Sequence, residues 1–453
     1  MRPTHNSRGV NLLLVAALLA LLSCCLVACN LPFEAASPAP PPTGRILYVL
    51  SFRVPATKQI TASTPVALTV VALRVSSGQH LWQSSPISVP AGDFGHSSVT
   101  SGGATLYVSV SAPTANSFPG ASRSAKAEII ALDAGKGHMQ WRIGLDGKVV
   151  RSLTVAPDGN LYLDLDNQME ALNGSTGSHL WSATTAVSYV ISKVVATRSA
   201  VYVEQEAYSL PGSEPNSTYD SAVVRALNLD SGRQIWRKEV ANTNTNQLAL
   251  LVGVSMQADD QAVYLLRVGQ VPNRQGNVFG SVAHTTLFAL HAEDGSPLWS
   301  DQTQTADAGM EFSLLLYGRT LYIAGAGTPS SLSALRSQSG QALWTWETPL
   351  VLNPFQPPNH IYGSSLNKGE GFCALQSGDG SKSWCSNYNQ AGPVLFGGPG
   401  KICLVAFKIT YQGTSETESP AQLYILNEND GSLVAQYSPG NDRVTQIQGI
   451  ALS

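Results

Sequence analysis

The chain has 453 residues, 43% hydrophobic and only 13% charged, where a soluble domain averages about 25% charged. Lys and Arg number 27 against 30 Asp and Glu, a formal charge of −3. No basic excess exists to release counterions, so an electrostatic nucleic-acid binder is excluded. Disorder is excluded by 8% aromatics and ample aliphatic residues, and the 40 Gly and 26 Pro point to many turns and so to β structure.

Arg2 and Arg8 give a positive start, and Leu12 to Leu22 is an unbroken apolar run. That run is short for a membrane span and right for a secretory signal core. It ends at Leu26-Val27-Ala28-Cys29, which resembles the lipobox of bacterial lipoproteins. The resemblance implies that residues 1–28 are removed, that the Cys29 thiol takes a diacylglyceryl group, and that the mature chain is lipid-anchored at the bacterial cell envelope, outside the cytoplasm. An uncleaved signal anchor is the alternative, with the same sidedness. Loss of Arg2 and Arg8 takes the formal charge to −5. Residues 29–44 contain Ser37-Pro38-Ala39-Pro40-Pro41-Pro42-Thr43, a tether expected to extend by about 3.1 Å per residue.

Residues 45–453 carry a repeat: Ala-Leu, a Gly five positions on, and a Trp four further. It runs through Trp82, Trp141, Trp181, Trp236, Trp299, Trp344 and Trp384, seven of the chain's eight tryptophans. An eighth copy, Ile425-Leu426…Gly431…Ala435, has Ala in the Trp place. A β-type run with a central Tyr precedes each copy, from Leu47-Tyr48-Val49 to Ile361-Tyr362-Gly363; in the eighth, Cys403 replaces the Tyr. Each unit reads as four strands with glycine-containing hairpin turns. Eight such units predict an all-β, eight-bladed β-propeller of four-stranded antiparallel blades. The first unit lacks its innermost strand, and the spare strand at Val444 to Leu452 is predicted to complete blade one and close the ring.

This pattern resembles the PQQ-like β-propeller repeat family, which includes quinoprotein alcohol dehydrogenase-like and BamB-like members. The resemblance implies that the repeat Trp packs between neighbouring blades near the repeat Gly, so the seven tryptophans are blade-docking residues and not a cofactor box. Quinoprotein dehydrogenases resemble longer chains with an adjacent-cysteine disulfide. The only adjacent pair here, Cys24-Cys25, lies in the signal. Their calcium site and catalytic Asp have no recognisable counterpart.

No His-Glu-x-x-His zinc spacing, phosphate loop or Gly-x-Ser-x-Gly elbow occurs. No catalytic residue, metal ligand or cofactor is assigned. Asp164-Leu165-Asp166-Asn167 lacks the glycine turn and distal Glu of a calcium loop and reads as a solvated turn. Gly325-Ala326-Gly327 also reads as a turn. His80, His138 and His179 fall beside repeat hairpins. If Ala374 and Trp384 face each other across a hairpin, so do Cys373 and Cys385; a disulfide then requires Cα atoms within about 7 Å. Cys403 reads as a buried, inert thiol.

Second-to-third-strand loops are long in blades one (Arg53 to Pro65), two (Ser111 to Lys126), four (Ala207 to Asp220), five (Gly269 to His284) and eight (Thr410 to Pro420). Equivalent loops emerge on one face, and Phe118, Arg123, Tyr208, Tyr219, Arg274, Phe279 and Tyr411 project from them as candidate partner-binding residues. Drifted surface loops are the bland alternative. The reading is a monomeric, non-catalytic surface lipoprotein that binds an unknown protein or envelope partner. Its rivals are a quinoprotein oxidoreductase using PQQ and calcium, and a carbohydrate or small-ligand binder using the central funnel.

Overall fold

The structure is a computed structural model. It describes residues 45–53, 65–90, 97–111, 126–146, 148–165, 168–184, 189–207, 221–241, 250–275, 278–305, 311–326, 331–347, 350–352, 359–365, 370–412, 415–419, 421–439 and 445–452. Among them are eight antiparallel sheets and no helix. Blades 2 to 8 are four-stranded meanders in chain order, at 98–146, 152–184, 189–241, 250–305, 311–347, 350–385 and 388–437. Blade 1 is built from Ile46–Arg53, Pro65–Arg74 and Gln79–Gln83, with Thr445–Leu452 as its innermost strand. The C-terminal strand pairs with Ile46–Arg53 from Leu47↔Leu452 to Arg53↔Thr445. The first and last segments of the ring therefore share one sheet, and the edge an open array would expose is used up. First strands lie side by side around the ring: Tyr189–Ala196 meets Leu250–Ala258, which meets Glu311–Tyr317, and Tyr388–Gly398 meets the C-terminal strand.

The repeat residues explain the blade. In blade 4, Tyr202 of the second strand faces Ala226 of the third, and Ala226 faces Trp236 of the fourth. Alanine leaves a gap, and the two aromatic rings meet over it. The same Tyr-Ala-Trp row recurs in seven blades, with ring centroids 5.7–6.3 Å apart. Just after the alanine, or after Ile425 in blade 8, every blade has a register shift, as between Ala226 and Leu227. The fourth strand thus carries one extra, unpaired residue immediately before the Trp, or before Ala435 in blade 8. In four blades that residue is an exposed apolar side chain, Leu180, Ile235, Leu343 or Val434, whereas Leu81 and Leu298 at the same place pack against the core.

Two loop expectations are corrected. In blade 5, residues 269–284 are not a loop: Ala262–Gln275 and Val278–His291 stay paired up to Gln275↔Val278. In blade 8, Ser415–Glu418 folds back on the end of Lys401–Gln412. The Gly325-Ala326 turn is also corrected, since both residues end the strand Thr320–Ala326.

Candidate functional site

Each blade is locked to the next through its repeat glycine. Gly232 adopts φ +65° in the turn between the third and fourth strands of blade 4, and its N–H donates to Asn228 O. A Cβ there would come within 2.5 Å of the Trp181 indole of blade 3. The same contact recurs from Trp82 onto Gly137 through to Trp384 onto Gly431. The lock is also polar. Trp236 Nε1 (2.9 Å) and Tyr202 Oη (3.3 Å) both donate to the Ala292 carbonyl of blade 5. Trp141 and Tyr107 share Gly174 O, and Trp181 and Tyr162 share Leu229 O. One carbonyl offers two lone pairs, so one acceptor satisfies two buried donors. Burying an indole contributes about 2–3 kcal/mol from area alone. The seven tryptophans are therefore spent on docking.

The joint between blades 8 and 1 differs. Its row is Cys403-Ile425-Ala435, small-large-small where the others are large-small-large. Cys403, Ile425 and Val75 share one apolar cluster, with Ala435 packed against it, and Ala435 Cβ lies 2.7 Å from where a Gly78 Cβ would be. Volume moved to the centre of the row replaces the aromatic pair. Cys403 is buried, and burial pushes its thiol up to about 12.

A buried charged seam runs through blades 3 to 5. Asp164, Glu204 and Arg267 are each at most 2% exposed. Strand alternation sets their directions. Tyr202 packs with Val263 and Leu265, so Glu204 faces blade 5 and Arg267 faces blade 4. Tyr162 packs with Val201 and Val203, so Asp164 faces blade 4; Arg225, opposite Val203, faces blade 3. Each of these two interfaces thus has an acid on one side and an arginine on the other, the arrangement that makes a buried charge tolerable. Asp164 is accordingly a buried strand residue, which corrects its reading as part of a solvated turn.

His80, His138 and His179 are exposed. His360 is buried and was missed: its Nδ1 lies 3.6 Å from Glu428 Oε1 across the joint of blades 7 and 8. Cys373 and Cys385 face each other in register, with Cα atoms 4.1 Å apart, and form a disulfide. Glu370 beside them is ion-paired to Lys382 at 2.7 Å and accepts from Ser365 Oγ at 2.9 Å.

The candidate partner residues fall at the edge of what is described. Cys29, Phe118, Arg123, Tyr208 and Tyr219 lie outside the described residues. Arg274 and Phe279 are register partners in the blade 5 hairpin, and Tyr411 is opposite Glu416 in that of blade 8. Among the described residues, the first strand of blade 5 pairs as far as Gln270 and the fourth as far as Ala283. The five pairs from Val271↔Val282 to Gln275↔Val278 stand beyond the blade as a two-stranded ribbon, about 17 Å long. Among the described residues, the acids, cysteines and histidines within metal-ligating reach of one another are Glu370, Cys373 and Cys385. Two sulfurs and one carboxylate do not fit calcium, which takes six to eight oxygens.

Closed ring, repeat locks and projecting ribbon define an eight-bladed β-propeller. Residues 67–270 match the model of the family described as outer membrane protein assembly factor BamB. The same Ala-Leu, Gly and Trp repeat is carried through the blades outside that match, so over residues 67–270 the chain is similar to that family and beyond them it keeps the same repeat. No curated protein matches it. Among solved structures, BamB from Moraxella catarrhalis aligns with a TM-score of 0.43 and 16% identity over 68% of this chain and 82% of its own. The quinohemoprotein alcohol dehydrogenase ADHIIG from Pseudomonas putida HK5 aligns with a TM-score of 0.45 and 13% identity over 86% of this chain and 68% of its own. A eukaryotic initiation factor aligns with a TM-score of 0.49 and 10% identity over 90% and 98%.

Proposed function

We propose that the chain is a membrane-anchored extracytoplasmic lipoprotein whose propeller is a non-catalytic scaffold for a protein or cell-envelope partner. The observation that carries this reading is the blade 5 ribbon. Among the described residues, neither of its strands has a neighbour within the blade past Gln270 and Ala283. A bare strand edge offers a row of backbone donors and acceptors to an incoming strand. The equivalent blade 8 hairpin rises between the same two strands of its blade, hence on the same face. The repeat aromatics support the reading because they are already committed to holding the blades together. Anchoring rests on Cys29 within Leu26-Val27-Ala28-Cys29.

The test joins Gln270 to Ala283 through a two-residue turn, which removes the ribbon and leaves the paired blade. The shortened chain is expected to stay folded and membrane-associated but to lose the protein adducts that chemical cross-linking of whole envelopes gives with the intact chain. Unchanged adducts would refute the ribbon as the docking element. In parallel, Cys29→Ser is expected to abolish incorporation of labelled palmitate and release the chain from the membrane fraction; retained label would refute the anchor.

A further inference from the structure

Blade 7 is built from short strands, with Leu350–Leu352 first and Lys382–Cys385 last. Its outer hairpin is tied by the Cys373–Cys385 bridge. Beside the bridge stands Glu370, and its carboxylate oxygen and the two sulfurs all lie within 4.8 Å of one another. Cys373 is fully buried, while Cys385 and Glu370 are half-buried, so the group is walled on one side and open to solvent on the other. The docking function does not use these residues.

We propose that reduction of this bridge turns the corner of blade 7 into a site for a thiophilic divalent cation of the zinc class, held by the Cys373 and Cys385 thiolates and the Glu370 carboxylate. A dithiol reductant supplies two electrons and two protons; the S–S bond breaks, two thiols form, and the reductant leaves as its own disulfide. The cation then forms two metal–sulfur bonds, and both thiol protons pass to solvent.

The geometry suits this exchange. Two metal–sulfur bonds of about 2.3 Å at a tetrahedral angle set the sulfurs about 3.7 Å apart. Directly opposed cysteines on strands 4.1 Å apart reach that spacing by side-chain rotation, without moving the backbone. Charge is also matched. Two thiolates and a carboxylate around a dication leave one negative charge, and the Lys382 ammonium already sits at Glu370 to offset it. The open side admits water as the fourth ligand, the pattern of three protein ligands and one exchangeable position. Donor softness favours zinc or cadmium over calcium or magnesium.

The test uses the purified full chain, reduced with a phosphine, freed of reductant under argon and titrated with cadmium. Reduced chain is expected to bind one equivalent with a thiolate-to-cadmium charge-transfer band, and bridged chain none. Cys385→Ser should lose the band. Glu370→Gln should keep the stoichiometry but bind at least about tenfold more weakly. X-ray absorption of the zinc-loaded form should show two sulfur neighbours and lighter atoms. Equal binding by bridged and reduced chain, a band that survives Cys385→Ser, or no binding after reduction would overturn the proposal. So would near-UV dichroism lost on reduction and not restored by one equivalent of cadmium.

Discussion

Tyr202 and Trp236 meet over Ala226 with their rings 5.9 Å apart and donate to one carbonyl, that of Ala292 in the next blade. That relationship turns a sequence pattern into a ring. Alanine makes the gap, the aromatic pair fills it, and a glycine in the neighbouring blade leaves room for the indole.

The glycine is required for two separable reasons. Gly232 has φ +65° and a would-be Cβ 2.5 Å from Trp181; Gly103 has φ +81° but nothing within 4 Å. Gly103→Ala should therefore show the backbone cost alone, about 1–2 kcal/mol. Gly232→Ala should add about 1–3 kcal/mol of overpacking. Urea midpoints of the two variants check this, and equal losses would show that the indole contact is not tight.

The closing joint should behave as a unit. Ala435→Trp alone forces an indole into space already filled around Val75, Cys403 and Ile425, and is expected to cost about 1–3 kcal/mol. The triple change Cys403→Tyr, Ile425→Ala and Ala435→Trp restores the large-small-large row of the other blades and should recover at least half of that loss. Thermal denaturation of the single and triple variants decides between coupling and simple additivity.

The repeat tyrosines and Cys403 predict alkaline behaviour. Burial raises the folded-state pKa of Tyr107, Tyr162, Tyr202, Tyr264, Tyr322 and Tyr362, and pushes Cys403 up to about 12. The neutral form is the one that fits the fold. This stabilisation is fully present below the unfolded-chain values, near 9 for the thiol and 10 for tyrosine. It is lost as pH rises from there through the folded values, because the unfolded chain releases protons first. Urea midpoints should fall from about pH 9 upward. Cys403 should resist alkylation until the chain unfolds. Tyrosinate absorbance that accounts for all fifteen tyrosines near pH 10 with far-UV dichroism intact would contradict this.

Much of this was legible in the sequence, and for a physical reason. The lock is one piece of chemistry repeated, so its residues recur at fixed spacing, and the degenerate copy at Cys403 and Ala435 marked the joint where the ring closes. The blade 5 ribbon was not legible. Pro272, Gly276 and Gly280 read as a loop, yet Pro272 is paired with Ser281, past Gln270, where among the described residues no first-strand partner needs its missing N–H. The charged seam was hidden too, because a charge in a strand ordinarily faces water. Comparing copies exposes it: two positions after the repeat Tyr stand Leu50, Ser109, Asp164, Glu204, Leu266, Ala324 and Ser364. Only blades 3 and 4 carry an acid there.

The same donor sets bear on the quinoprotein alternative. The acids of the seam point into blade interfaces that each also take an arginine from the other side, and the chelating group of blade 7 has the wrong donors for calcium. Purified chain incubated with PQQ and calcium is expected to show no saturable binding and no dye reduction with alcohols or sugars. Substrate-dependent turnover would retire the scaffold reading.

The most direct test of that reading places a photo-cross-linking amino acid at Phe279 in the blade 5 ribbon, at Tyr411 in the blade 8 hairpin, and at Ser339 in a third-to-fourth-strand turn on the opposite face. Irradiated cells should give discrete protein adducts from positions 279 and 411 and none from 339. Adducts from 339 alone, or from none of the three, would contradict a scaffold that docks its partner through the projecting hairpins.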